Sequence, residues 1–207
     1  LFDEFGTDAV RFGIMLMAPQ GLDVLFSKDR LEIGRNFMNK LWNACRFVQI
    51  NIPENWDEEV NLDEQDLNLP EKWILSRLSK TIDDYNRQLD RFYFNEAAKV
   101  LYDFTWNDFC DWYVEIAKTK FYGYDESKAD IARTISLKCI RVVLAMLHPY
   151  SPFITEELWS KFKKPEASDL IITPWPEKET NQNNDVEKEM ALLQEVVTAI
   201  RSIRSRM

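Results

Sequence analysis

The sequence predicts an all-α fold, an antiparallel helical bundle. Among 207 residues there are only five glycines and eight prolines, while 45% are hydrophobic, a composition typical of helical domains rather than of sheets with frequent turns. Apolar residues recur at steps of three and four along most of the chain, which is the spacing of one face of an α-helix. Long helices joined by short or acidic connections favour antiparallel neighbours.

This spacing predicts seven helices, over residues 8–18, 28–50, 71–90, 94–121, 127–148, 152–164 and 185–206. Three of them are expected to begin after a common helix-capping residue: Ser27, Asn95 and Ser151. The last of these is followed by Pro152 at the favoured first helical position, and Pro149 separates that helix from the one before it.

Two stretches interrupt the helical spacing. Residues 51–72 carry a net charge of −7 and residues 165–190 a net charge of −5, and both contain prolines. Both are therefore predicted to be acidic surface loops.

The residue inventory excludes several kinds of site. The single histidine, His148, has no cysteine or second histidine near it, so histidine-based metal sites and Ser–His–Asp relays lose their main component. No glycine-rich phosphate-binding loop occurs. The three cysteines, Cys45, Cys110 and Cys139, lie far apart in apolar stretches, which favours a reduced, cytoplasmic protein. We therefore predict no catalytic residue, no metal ligand and no cofactor within this chain.

Charge and hydropathy restrict the partners. The formal net charge is −9, so no global basic field attracts nucleic acid, and any such role must depend on a local patch. No run of about 18 apolar residues occurs, and no membrane partner is expected. The first residues, Leu-Phe-Asp-Glu, include no initiator methionine, and we expect the chain to be a piece of a longer protein.

The predicted helix 28–50 has two different faces. One face is apolar and is predicted to lie in the core: Leu31, Gly34, Met38, Leu41, Cys45 and Val48. The opposite face is polar, with one aromatic ring: Asn36, Lys40, Asn43 and Phe47, flanked by Arg35, Asn39 and Arg46. With Arg30, the segment 30–50 holds four basic residues against Glu32 alone.

This polar face has the composition of a reader of single-stranded RNA. Amides donate and accept hydrogen bonds as base edges require, cations neutralise phosphates, and an exposed ring offers a surface on which a base stacks. The alternative is that the amides and Lys40 are ordinary solvated positions and that Phe47 packs under the next loop.

The predicted helix 94–121 carries three carboxylates, Asp108, Asp111 and Glu115, at spacings that share one α-helical face. Such a cluster is compatible with a divalent metal or with acid–base catalysis, but we expect the carboxylates to be solvated or paired with cations of a neighbouring helix. The aromatic residues of this helix are expected in the core and between helices. They are Tyr102, Trp106, Phe109, Trp112 and Tyr113.

The last predicted helix ends in three arginines, Arg201, Arg204 and Arg206. They are candidates for RNA backbone contacts, and they equally suit the electrostatics of a helix C-terminus.

Several segments, in order, resemble the valyl-tRNA synthetases among the class I aminoacyl-tRNA synthetases. The first is Gly-Thr-Asp-Ala-Val-Arg-Phe at 6–12, continued by Gln-Gly-Leu-Asp-Val at 20–24 and Phe-Ser at 26–27. The longest is Arg-Asn-Phe-Met-Asn-Lys-Leu-Trp-Asn-Ala-Cys-Arg-Phe at 35–47. The others lie at 73–78, 106–113, 147–159 and 175–176. The resemblance runs along the whole chain.

The resemblance implies the helical-bundle anticodon-binding domain of an enzyme that uses ATP to attach valine to tRNA(Val). The signature loops of the catalytic domain and the editing domain do not occur in this sequence. The implied organisation is a lead-in segment to the catalytic domain over 1–26, the anticodon-binding bundle over 27–184, and a helix toward a C-terminal extension over 185–207. The parent enzyme is expected to be cytoplasmic and monomeric, with ATP as its cofactor and no DNA partner.

The resemblance also places anticodon recognition on the polar face of helix 28–50. Phe47 is expected to stack on an anticodon base, Asn43 and Asn39 to read base edges, and the cations to hold phosphates. The predicted site is Arg30, Arg35, Asn36, Asn39, Lys40, Asn43, Arg46 and Phe47. Two alternatives stay open: the anticodon domain of an isoleucyl or other class I synthetase, and a helical module that docks a partner protein.

Overall fold

The computed structural model describes residues 1–18, 21, 26–54, 56, 62, 66–164, 166–177 and 182–204. Within these ranges all regular structure is helical, which confirms the predicted all-α bundle. The α-helices are α1 (Phe2–Phe5), α2 (Thr7–Met17), α3 (Lys28–Ile50), α4 (Leu69–Asp90), α5 (Phe94–Asp103), α6 (Val114–Phe121), α7 (Glu126–Leu147), α8 (Pro152–Phe162) and α9 (Asn184–Arg204). A π-helical segment (Phe104–Tyr113) joins α5 to α6, and a 3₁₀ turn spans Leu170–Ile172.

The closest helix crossing joins α2 to α3. A Cβ atom added to Gly34 would lie 2.2 Å from the backbone oxygen of Ala9, so only glycine permits this approach. The rings of Phe12 and Phe37 stack across the crossing with centroids 4.7 Å apart. Residues 7–17 therefore contribute directly to the core that α3 completes, while the predicted boundary at residue 26 stays a prediction.

The predicted helix 94–121 forms, but ten of its residues are π-helical. The segment Phe-Thr-Trp-Asn-Asp-Phe-Cys-Asp-Trp-Tyr follows the i→i+5 pattern, which changes the angle between successive side chains. Phe104, Phe109 and Tyr113 are buried along its length. The rings of Tyr102 and Trp106 stack at 5.6 Å with their planes 13° apart. The faces of this helix therefore differ from those that an α-helical spacing predicts.

Helix starts follow the capping predictions in part. Ser27 and Ser151 precede α3 and α8, as predicted. Asn95 is not a cap, which corrects the prediction: α5 begins at Phe94, and the buried Asn95 donates to the Glu96 carboxylate at 2.9 Å. The start of α8 is capped from another helix, because the Asp8 carboxylate accepts from the backbone N–H of Ile154 at 2.6 Å.

A network of ion pairs holds α9 against α4. Arg77 on α4 donates to Asp108 of the π-helical segment at 2.8 Å and to Glu187 in the first turn of α9 at 3.3 Å. Burial raises the pKa of Asp108, against the opposing effect of Arg77. Met190 is the buried residue of α9. The first half of α9 is therefore docked, and its C-terminal turns are exposed.

The three cysteines are buried, as their apolar surroundings predict, and none is in a disulfide bond. Burial raises the pKa of the Cys110 thiol to about 12, so this thiol is protonated at neutral pH. His148 hydrogen-bonds through Nδ1 to the hydroxyl of Thr155 at 2.8 Å.

Candidate nucleic-acid interface

The polar face of α3 is exposed to solvent, and side chains of other helices pack along each of its two edges. The apolar stripe of α3 is buried against the core, as predicted. On the opposite side Asn36, Asn39, Asn43 and Arg46 are exposed. Within the described part of the chain their side chains make no hydrogen bond or ion pair. We call these four residues the α3 face. Four unpartnered polar side chains on one helix are free to bond to an external ligand.

Lys40 forms the edge of the α3 face toward the π-helical segment. Its ammonium pairs with Asp111 and lies 3.9 Å from the centroid of the Trp106 ring. Both charged side chains are partly exposed. An ion pair in this setting is worth about 1 kcal/mol or less. A phosphate group can therefore compete with Asp111 for Lys40.

Phe47 lies on the same edge, about two turns further along α3. Its ring contacts the rings of Phe121 and Tyr122, with centroids 5.8 and 6.4 Å away, and the Lys118 ammonium lies 5.3 Å from its centroid. Phe47 is half-buried. The ring thus packs on the end of α6, whereas the packing alternative placed it under the next loop, and it also keeps an exposed part. A base that stacks on Phe47 would find Lys118 beside it.

The N-terminal part of the predicted site lies near α1. The guanidinium of Arg35 lies 5.3 Å from the ring centroid of Phe5 and 3.5 Å from the Glu32 carboxylate. Arg30 is exposed in the first turn of α3. All eight predicted site residues thus lie on one helix, but Lys40 and Phe47 face the π-helical segment and α6, while Arg35 faces α1.

Three residues near the site were not predicted from the sequence as site residues. Trp106 supports Lys40, and Lys118 approaches Phe47, as described above. Trp42 is 37% exposed on the other edge of the helix, where the Lys161 ammonium of α8 lies 6.0 Å from its ring centroid. No local pattern indicated which residues of other helices approach Trp42.

The three carboxylates of the predicted helix 94–121 do not form a cluster. Asp108 pairs with Arg77, Asp111 with Lys40, and Glu115 with Lys118 at 2.6 Å. Pairing with cations of a neighbouring helix, the interpretation favoured from the sequence, is confirmed for Asp108 and Asp111, whereas Glu115 pairs within its own helix. Among the described residues no group of histidine, cysteine and carboxylate side chains is arranged to hold a metal ion.

The arginines at the end of α9 differ in their surroundings. The Arg201 guanidinium lies 5.4 Å from the ring centroid of Trp112, and Arg204 is exposed. Arg206 lies outside the described residues.

Among the described helices, none combines the length and the apolar character that a membrane span requires.

Comparison with known proteins gives the family. A family model described as the anticodon-binding domain of tRNA ligase matches residues 71–207. The valine–tRNA ligase of Bacillus cereus is 37% identical over 99% of this chain, that of Clostridium tetani is 38% identical over 100%, and that of Dehalococcoides mccartyi is 41% identical over 99%. The chain spans 23% of the length of each of these relatives.

A solved structure shares the fold. The LeuRS chain of a ternary complex with tRNA and LeuAMS from Agrobacterium radiobacter superposes with a TM-score of 0.60 over 90% of this chain and 21% of that chain, at 19% sequence identity. Together with the match over residues 71–207, the helical bundle places this chain in the family of anticodon-binding domains of tRNA ligases.

Proposed function

We propose that this chain recognises the anticodon of tRNA(Val) through the α3 face, as part of a valine–tRNA ligase. One observation carries the proposal: four exposed amide and guanidinium side chains on α3 have no partner within the described chain. The amides offer hydrogen bonds to base edges, and Arg46 offers a contact to phosphate. The similarity to valine–tRNA ligases supports valine as the cognate amino acid.

In this proposal the parent enzyme is a cytoplasmic, monomeric ligase that joins valine to its tRNA with ATP. The catalytic chemistry and the ATP site belong to parts of the enzyme outside this sequence. The chain itself binds the anticodon loop and holds it in place. Asn39 and Asn43 read base edges, and Phe47 stacks on one base. The phosphates are held by the cations of α3, which are Arg30, Arg35, Lys40 and Arg46. Asn36 extends the same polar surface by one turn.

The test is a fluorescence-anisotropy titration of the chain with tRNA(Val) and with the same tRNA carrying an isoleucine anticodon, at two salt concentrations. We expect tighter binding of the valine anticodon and weaker binding at high salt, because phosphate contacts release counterions. Asn43→Ala should remove the preference between anticodons. Equal binding of both RNAs by the wild-type chain contradicts the proposal, and a DNA stem-loop of the same sequence serves as the control for nucleic-acid charge alone.

Replacing Phe47 by leucine should weaken tRNA(Val) binding about tenfold or more. Stacking of a base on an aromatic side chain is worth about 1–3 kcal/mol, and leucine keeps apolar volume against Phe121 and Tyr122 while it removes the aromatic face. Anisotropy titration measures the affinity, and thermal unfolding of both proteins verifies that the bundle is intact. Unchanged affinity in a folded variant would assign Phe47 to packing alone.

Replacing Asp111 by asparagine should tighten RNA binding several-fold. The substitution removes the anion that pairs with Lys40. The ammonium can then bind a phosphate without first breaking an ion pair. The slope of log affinity against log salt should steepen by about one, since one more counterion is released. Asp84→Asn is the matched control, because it also removes the anion that pairs with an exposed cation, Arg87 on α4 at 2.6 Å, away from the α3 face. If the two variants bind RNA alike, Lys40 does not contact phosphate.

A further inference from the structure

A cavity of about 420 Å³ lies between α1, α2, α3 and α8, next to the N-terminal end of the α3 face. Part of its wall is apolar, formed by Phe5, Met38 and Phe153. Arg35 and Asn39, which belong to the predicted site on α3, also line it. The volume lies in the range of small-molecule pockets, and the mixture of apolar wall and few polar groups is typical of them.

The buried polar group of the cavity is the carboxylate of Asp8. This residue is 8% exposed. Its Oδ2 accepts from the backbone N–H of Ile154 at 2.6 Å, whereas its Oδ1 is buried and has no hydrogen-bond partner among the described residues. A buried acceptor without a partner costs free energy, so such atoms require an explanation. A ligand with a donor edge would supply the missing hydrogen bond.

A second polar group of the cavity lining is a donor. The Arg35 guanidinium offers only N–H donors, and it is held over the Phe5 ring and beside Glu32. Asn39 offers both a donor and an acceptor and has no partner within the described chain. The lining of the cavity therefore combines an acceptor-only group, a donor-only group and apolar side chains.

We propose that this cavity binds an unpaired guanine of an RNA strand. Guanine carries two adjacent donors, N1–H and N2–H₂, which suit the Asp8 carboxylate, and two acceptors, O6 and N7, which suit the Arg35 guanidinium. Adenine and cytosine each offer one amino group, and uracil one N–H, so each leaves part of this pattern unmatched. Oδ1 is covered from water, so the base reaches it when rim side chains turn aside. Phe153, which lines the cavity, is 67% exposed.

This inference rests on the proposed function, because the strand that supplies the guanine is the one bound along α3. A free guanine nucleotide carries the same edge. The test therefore compares GMP with the pentaribonucleotide UUGUU, and uses AMP, CMP, UMP and UUAUU as controls for the base.

The measurement is an NMR titration of the chain labelled with ¹³C at the methyl groups of its six methionines. Met38 lines this cavity, and Met15 lines a different one, between Tyr85 and Trp175, so its signal is the internal control. We expect GMP and UUGUU to shift the Met38 signal but not the Met15 signal. The other nucleotides should need at least tenfold higher concentrations, and UUGUU should bind more tightly than GMP because it adds phosphate contacts.

Two variants test the two polar groups. Asp8→Asn keeps an oxygen for the Ile154 N–H and replaces the other by an amide donor, and Arg35→Met removes the exposed guanidinium while it keeps the side-chain length. Each should weaken the GMP response at least tenfold, whereas Arg87→Met, which changes an exposed arginine on α4, should leave it unchanged. Because Arg35 is on the surface, its variant remains informative if Asp8→Asn unfolds.

The outcomes separate this inference from the proposed function. A silent Met38 signal, or a GMP response that neither variant changes, overturns the guanine site even if Asn43→Ala still abolishes the anticodon preference. Equal binding of GMP and UUGUU overturns the RNA strand as the source. A Met38 response in a chain that shows no anticodon preference removes the proposed function and leaves a guanine site.

Discussion

Replacing Lys120 by methionine is expected to lower the free energy of unfolding by about 3–5 kcal/mol. Lys120, in the last turn of α6, pairs with Glu71, in the first turn of α4. The Glu71 side chain is 1% exposed and that of Lys120 is 12% exposed, so the pair is largely removed from water. Methionine preserves the apolar stem but leaves the buried carboxylate without its cation, and an uncompensated buried charge is costly. Urea unfolding followed by circular dichroism measures the loss.

The matched control is Lys118→Met, two residues away on the same helix. Lys118 pairs with Glu115 at the surface, and the loss of such a pair costs about 1 kcal/mol or less. The double variant Lys120→Met/Glu71→Gln should recover part of the stability, because the charge left alone is then removed. A Lys120→Met protein as stable as Lys118→Met would mean that α4 and α6 do not depend on this buried pair.

Replacing Gly34 by alanine should destabilise the chain by about 3 kcal/mol, at the upper end of the cost of overpacking. Alanine is the better helix former by about 1 kcal/mol, so propensity alone predicts stabilisation. The tertiary contact decides otherwise: the added Cβ would lie 2.2 Å from the Ala9 backbone oxygen, and backbone atoms cannot turn aside as a side chain can. Helices α2 and α3 must therefore separate, and the stack of Phe12 on Phe37 loosens with them.

Gly13→Ala is the control for this prediction, since it lies on the same crossing. There the added Cβ would approach Leu31 and the Arg30 backbone oxygen at 3.2 Å, which a shift of a few tenths of an ångström relieves. We expect a loss smaller than that of Gly34→Ala by at least about 1 kcal/mol, partly offset by helix propensity. The midpoints of thermal unfolding show which of the two variants is less stable. Equal midpoints would contradict the close approach at Gly34.

The prediction for Gly34 also bears on the α3 face, because α3 is positioned by its crossing with α2. The Gly34→Ala protein should also bind tRNA(Val) more weakly than the Gly13→Ala protein, although neither glycine contacts solvent on that face. The anisotropy titration described above measures this difference.

Local sequence determined the helices. Apolar spacing placed α3 at 28–50 to the residue, and it located the buried stripe and the exposed amides of that helix, because an α-helix repeats its faces regularly. The predicted helix 94–121 also formed with its bounds, as α5, the π-helical segment and α6. The ordered segments from Gly6 to Pro176 identified the family from the sequence.

The tertiary structure alone decided which side chains remain available. Asp108, Asp111 and Glu115 share a face only in an α-helix, and the π-helical segment separates them toward Arg77, Lys40 and Lys118. Ion pairs and ring contacts join residues far apart in the chain, so no local periodicity records them. For the same reason the sequence predicted Lys40 and Phe47 as site residues but not their contacts with Asp111 and Phe121, and it gave no sign of the cavity beside Asp8. Helices follow from short-range spacing, whereas a binding surface depends on how the chain brings distant helices together.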